Sequence, residues 1–203
     1  MFGLPASTER SQQLAKSDFF ARFKIAGKER QCMDDEISRM DITAFVAPAS
    51  IPGWPREGRG FYVVTLKLKK PELSAATLSL IASKINQRIV FALLYGEKIQ
   101  LVIAWNRQIR SDWKKPEDIK ITLRINAEET WLGVIADIAG LKPGNEAELE
   151  AQIALRDMRN ALHLKIEKLD KAMRREAQNR RRRELYEQIK NLKKELEELG
   201  ETI

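Results

Sequence analysis

Residues 61–95 read FYVVTLKLKKPELSAATLSLIASKINQRIVFALLY, and this stretch sets the fold class. Phe61–Leu68 is dense in β-branched and aromatic residues, the composition of a strand. Pro71 opens a helix expected from Glu72 to about Asn86, since the first helical position has no use for the N–H that proline lacks. Leu73, Thr77, Leu80, Ile81 and Ile85 supply its apolar stripe. Ile89–Tyr95 is apolar throughout, as expected of a central strand covered on both faces. A helix between two strands permits a right-handed parallel crossover.

Downstream, Gly96-Glu97 makes a tight turn into Lys98–Trp105, where Ile99, Leu101, Ile103 and Trp105 alternate with Gln100, Val102 and Ala104. Asp118–Ile125 also alternates. Ile119, Ile121, Leu123 and Ile125 point inward on this reading, and Lys120, Thr122 and Arg124 form a basic outer sheet face. Glu128–Ala139 reads as a helix carrying Trp131, Leu132 and Ile135, ended by Gly140, and Pro143-Gly144-Asn145 follows as a separator.

Upstream, residues 1–16 read as an irregular leader. Ser17-Asp18 caps a short helix with Phe19, Phe20 and Phe23, and a second helix from about Lys28 to Met40 places Met33, Ile37 and Met40 on one stripe. Ile42–Val46 reads as a strand, and Pro48–Gly60 as a loop anchored by Ile51 and Trp54. The expected fold is α+β: a small mixed sheet of about four or five strands with helices on one side, then a long C-terminal helical arm. The corresponding domains are 1–145 and 146–203.

Composition limits the chemistry. Hydrophobic residues make up 43% and charged residues 32% of the chain, ordinary for a folded domain with a helical arm. No apolar run approaches the roughly 20 residues of a spanning helix. The start, MFGLPASTERSQQ, lacks the pattern of a signal peptide, so a cytoplasmic setting is expected. Cys32 has no second cysteine, and with His163 alone it cannot complete a zinc site. Asp34-Asp35-Glu36 are adjacent on a helix and point apart, so they read as a solvated face rather than a cation site. The glycines of the 48–60 loop do not follow GxxxxGK[ST]. Trp54, Arg56 and Arg59 there suit either a packed loop or stacking on nucleic acid. A restriction-type nuclease needs carboxylates on its strand, and Glu57 and Glu72 both fall outside Phe61–Leu68. No catalytic residue, cofactor or metal is therefore assigned.

The net charge of +7 favours an acidic partner. The arm from Glu146 carries 14 Lys/Arg against 13 Asp/Glu, so most of the excess lies in the first 145 residues. Within the arm, Leu155, Met158, Leu162, Ile166, Leu169 and Met173 form one seam, and Leu185, Ile189, Leu192, Leu196 and Leu199 a second. Sevens counted from Ile166 reach Arg180 and Glu187, whereas the second seam uses Ile189, so the two are out of register. Either the helix folds back near Gln178-Asn179, or it runs straight for about 50 residues, roughly 75 Å. The lack of Pro and Gly between Asn145 and Gly200 favours the straight form. Exposed leucine seams need a mate, from this chain, a second copy or another protein.

Between the seams lies RREAQNRRRR, Arg174–Arg183. Arg174, Arg175, Arg180, Arg181, Arg182 and Arg183, with Lys120 and Arg124, are the candidate contacts for nucleic acid or a partner. Acidic flanks argue against DNA, so a bend or docking junction is the first reading and phosphate neutralisation the second.

The chain resembles a bacterial family of unknown function, often encoded beside DNA methyltransferase and helicase genes in restriction-like, anti-phage loci. The matching residues are Leu4-Pro5 with Ser7-Thr8, the strand Phe61–Leu68 with Lys67 at its end, and Ile81, Ile85 and Ile89-Val90-Phe91. Trp113 and the junction Glu176…Gln178-Asn179-Arg180 also match. The family usually shows an Asp and a Pro where this chain has Ala82 and Asn86. The resemblance implies a non-catalytic accessory or scaffolding subunit of a DNA-modification or defence complex. Its expected mate is a methyltransferase- or helicase-like component, or a second copy through the arm. The alternative is a direct DNA or RNA binder.

Overall fold

Strands β2 (Ile37–Val46), β3 (Phe61–Leu68), β4 (Arg88–Tyr95) and β5 (Lys98–Ala104) form the body of the sheet in a computed structural model describing residues 2–104, 107–142 and 146–200. An N-terminal strand β1 (Glu9–Leu14) and a short β6 (Gln108–Arg110) add the two edges. The six strands lie in chain order, β1-β2-β3-β4-β5-β6, where four or five were expected. Only β3 and β4 pair in parallel, from Phe61 opposite Arg88 to Lys67 opposite Leu94. This is the crossover that strand–helix–strand implies, and α3 (Ala75–Lys84) makes it. All other pairs are antiparallel.

Alternation along the central strands loads both faces. On one, Val64, Leu66 and Leu68 of β3 and Ile89, Phe91 and Leu93 of β4 meet Phe19 and Phe20 of α1 (Lys16–Phe23), Met33 of α2 (Gly27–Glu36) and Leu78 and Ile81 of α3. The opposite face takes α4 (Ala127–Ala139), whose Trp131 ring lies 5.5 Å from that of Phe61. Helices therefore cover both sides rather than one. Asn126 caps α4 by accepting from Glu129 N at 2.8 Å, and Gly140 closes it at φ +68°, the left-handed conformation that glycine adopts without strain. Gly60 is required for a different reason: a Cβ there would lie 2.6 Å from the Val46 carbonyl oxygen.

Four local expectations change. The leader is not irregular, since Glu9–Leu14 pairs with β2. The second helix ends at Glu36 rather than Met40, and Ile37 and Met40 belong to β2. Their three-residue spacing mimics a helical stripe because the pairing register shifts between Ile37 and Arg39. Ile37 thus faces Leu68 and Met40 faces Leu66, on one side of the sheet. The third helix begins after Ser74, whose Oγ accepts from Thr77 N at 3.2 Å, so Pro71 stays in the preceding loop. Asp118–Ile125 is not a strand. Ile119 and Ile121 are buried, but Ile125 is 72% exposed, and the segment is held by Ile121 N donating to the Phe2 carbonyl and Arg124 N to Thr130 Oγ1. Lys120 and Arg124 consequently occupy no sheet face. Trp105 and Pro143-Gly144-Asn145 lie outside the described residues.

The chain divides into two units, Met1–Lys142 and Pro143–Ile203. The second contains α5 (Glu146–Arg175, 30 residues) and α6 (Asn179–Glu198, 20 residues). The arm is not a single straight helix: it breaks at residues 176–178 without any glycine or proline. The Glu176 side chain accepts from Gln178 N at 3.0 Å, and Gln178 is extended at φ −84°, ψ 118°. The out-of-phase seams supply the reason, because two stripes that cannot share one straight seam can face each other in an antiparallel pair. The Arg159 guanidinium, in the first half of α5, donates to the Leu199 carbonyl at the far end of α6.

Candidate functional site

The hairpin brings both ends of RREAQNRRRR to one tip. Arg174 and Arg175 form the last turn of α5, and Arg180–Arg183 fall in the first turns of α6. All six side chains are exposed, Arg180 at 94%. Arg174 pairs with Asp170 at 2.8 Å and Arg180 with Glu184 at 3.3 Å, both one turn away on the same helix. Such exposed pairs contribute little. Arg182 reaches the Glu176 carbonyl at 3.2 Å, across the turn. Among the described residues, Arg175, Arg181, Arg182 and Arg183 make no ion pair.

The seams close on each other incompletely. Leu162, Ile189 and Leu196 are buried, whereas Leu155, Ile166, Leu169, Met173, Leu185, Leu192 and Leu199 are half-buried. Met158 is 58% exposed and does not belong to the seam, since it lies at the margin of the apolar stripe. Leu149 and Ile153 are fully buried on α5, outside the seam expected from the sequence. They sit about half a helical turn out of phase with Leu162, so a search for one continuous stripe skips them.

In the first unit, the remaining candidates resolve mainly into structural contacts. The 48–60 loop is packed: Trp54 Nε1 donates to the Arg124 carbonyl at 2.9 Å, and Arg59 N donates to Glu128 Oε1 at 2.9 Å. Arg88 pairs with Glu128 at 2.7 Å and lies over the Trp131 ring. Burial pushes the Glu128 carboxyl up, but the Arg59 N–H and the Arg88 guanidinium outweigh it and hold it below the usual range. Arg124 lies against Gly133, where a Cβ would fall 2.0 Å from its Nε. Lys120 is exposed beside Gly3.

Glu36 departs from the solvated acidic run expected of it. It is buried, accepts from Ser74 Oγ at 3.0 Å and pairs with Lys70 at 3.2 Å. Burial raises its pKa, yet hydrogen bonds from Thr77, Lys70 and Ser74 lower it further than burial raises it. It ties the end of α2 to the start of α3. Asp34 instead faces outward to Lys16 at 2.6 Å. The three carboxylates diverge as their adjacency dictates. Among the described residues, no group of three or more His, Cys, Asp or Glu side chains could hold a metal ion, and no helix is long and apolar enough to cross a membrane.

A cavity of about 440 Å³ opens between α1 and the sheet, with Phe19, Phe23, Ile42, Tyr62 and Ile89 as its apolar lining and Arg22 and Gln87 among its polar groups. The Phe19 and Phe23 rings stand 4.7 Å apart in its wall. Their i, i+4 spacing signalled a shared face in the sequence but not that the face borders a cavity.

Neither the curated proteins nor the solved structures yield a match to this chain. A protein-family comparison does: residues 2–196, nearly the whole length, match the domain of unknown function DUF4391. The matched range takes in nearly all of both the sheet unit and the hairpin, so the chain belongs to the DUF4391 family.

Proposed function

We propose that the protein is a non-catalytic accessory subunit of a bacterial DNA-modification or anti-phage defence complex, working in the cytoplasm through protein–protein contacts. The observation that carries this reading is the helical hairpin. A 30-residue and a 20-residue helix pair into an arm whose seam is only partly buried, with six exposed arginines at its tip. Long, charged helical hairpins of this kind present contact surface rather than a concave reaction site. The resemblance to a family encoded beside methyltransferase and helicase genes supplies the partner: a methyltransferase- or helicase-like component of the same locus.

The test is co-expression of the tagged full chain with the products of its neighbouring genes, where a methyltransferase- or helicase-like enzyme is expected, followed by affinity capture and light scattering. A stoichiometric complex with either enzyme is expected. Capture of neither, with the chain running as a stable dimer, transfers the arm to self-association and removes the accessory-subunit reading.

A further inference from the structure

We propose that the hairpin tip is a binding site for the phosphodiester backbone of a nucleic acid duplex. This goes beyond the accessory-subunit reading and fails independently of it, because partner capture and phosphate binding are separate measurements.

Four observations converge on it. Residues 174–183 carry six arginines and one glutamate, a local charge of +5, and the fold-back gathers them at one end of the arm instead of spreading them along a straight rod. The neighbouring carboxylates that argue against DNA in the linear sequence are engaged locally: Asp170 with Arg174, Glu184 with Arg180, and Glu176 with Gln178 N. Helix stability accounts for Arg174 and Arg175, which suit the C-terminal end of α5, but not for the run that opens α6. The first turn of α6 contains no acidic residue, although that end of a helix favours negative charge, and the arginines there repel both the helix dipole and one another. Consecutive helical residues step by about 100°, so Arg180–Arg183 encircle the first turns of α6. A flat acidic protein surface would meet only part of such a collar. Phosphates flank a groove on both sides and would meet far more of it, and guanidinium groups suit phosphate oxygens in bidentate geometry.

The experiment is a fluorescence-anisotropy titration of the full chain against a short duplex DNA of arbitrary sequence, from about 50 to 200 mM salt. Duplex RNA, single-stranded DNA and polyglutamate are run alongside. The R181Q/R182Q/R183Q variant keeps good helix formers on solvent-facing positions, and circular dichroism checks that its helices persist. Saturable, salt-dependent duplex binding is expected. It should weaken at least tenfold in this variant, with the log–log salt slope reduced by about 3, since each phosphate that an arginine neutralises adds about 0.9 to that slope. A K193Q/K194Q control farther along α6 should stay within about twofold of wild type. Duplex RNA binding comparable to duplex DNA supports the proposal, since the backbone and not the bases is read. Absence of duplex binding, an unaffected tip variant, or tighter binding to single strands would overturn it. Polyglutamate binding as tightly as DNA would overturn it in favour of an acidic protein surface.

Discussion

The two units bury their apolar residues to different degrees. In the sheet unit, Met33, Phe61, Leu66, Phe91 and Leu93 are wholly shielded, and hydrogen-bonded carboxylates such as Glu36 and Glu128 tie the elements together. In the hairpin, most seam residues keep part of their surface in water, and its basic cluster is exposed, Arg180 at 94%. The first unit thus has a closed core, and the second keeps much of its apolar seam and its arginines in contact with water.

The sharpest way to break this comparison is to cut into the sheet core. Phe91→Ala should cost about 3–5 kcal/mol, because the cavity left in a packed interior adds to the forfeited transfer energy. Thermal or denaturant unfolding measures it, and a cost below about 1 kcal/mol would mean that this core is no tighter than the hairpin seam. Glu36→Gln comes next, at about 1–3 kcal/mol near neutral pH, since a buried group loses its charge-assisted hydrogen bonds. Its pH dependence has a definite sign. The folded-state pKa of Glu36 lies below the ordinary value, so its contribution is present above the unfolded carboxylate pKa and is lost as pH falls through the folded one. Glu36→Gln should therefore flatten the acid limb of the stability curve, and an acid limb as steep as wild type would remove Glu36 from the account.

A smaller effect is expected in the arm. Ile189→Ala should cost about 1–2 kcal/mol, less than the same truncation in the sheet, because its surroundings can collapse and water already reaches the seam. Helical signal at low denaturant reads it. A destabilisation as large as that of Phe91→Ala would show that the hairpin is a core in its own right.

How much of this was legible follows from where local pattern and tertiary structure agree. Phe61–Leu68 and Ile89–Tyr95 could be read directly, since runs of β-branched and aromatic residues flanking a helix leave few alternatives. Ile37 and Met40 misled because a bulge gives strand residues a helical spacing. Asp118–Ile125 misled in the opposite direction: it alternates like a strand, yet pairs with no other strand, and Ile125 ends in solvent. Glu9–Leu14 was hidden because all of this edge strand but the half-buried Leu14 stays exposed, which leaves no apolar alternation to read. For the candidate site, the arginine run and the register break were visible in the sequence. The direction of the arm was not, because a turn without glycine or proline leaves no local mark.

The smallest stability effect is expected at the tip, and it is the most informative. R181Q/R182Q/R183Q should change unfolding free energy by no more than about 0.5 kcal/mol, as expected for exposed side chains that make no ion pair among the described residues and of which Arg182 gives up a single exposed hydrogen bond, to the Glu176 carbonyl. Measuring the melting temperature and the duplex affinity of this one variant side by side is therefore the most direct test of the division between the units. The account predicts an unchanged melting temperature with duplex binding weakened at least tenfold. A lowered melting temperature with unchanged binding would contradict it, placing those arginines in the stability of the hairpin and leaving its tip without a binding role.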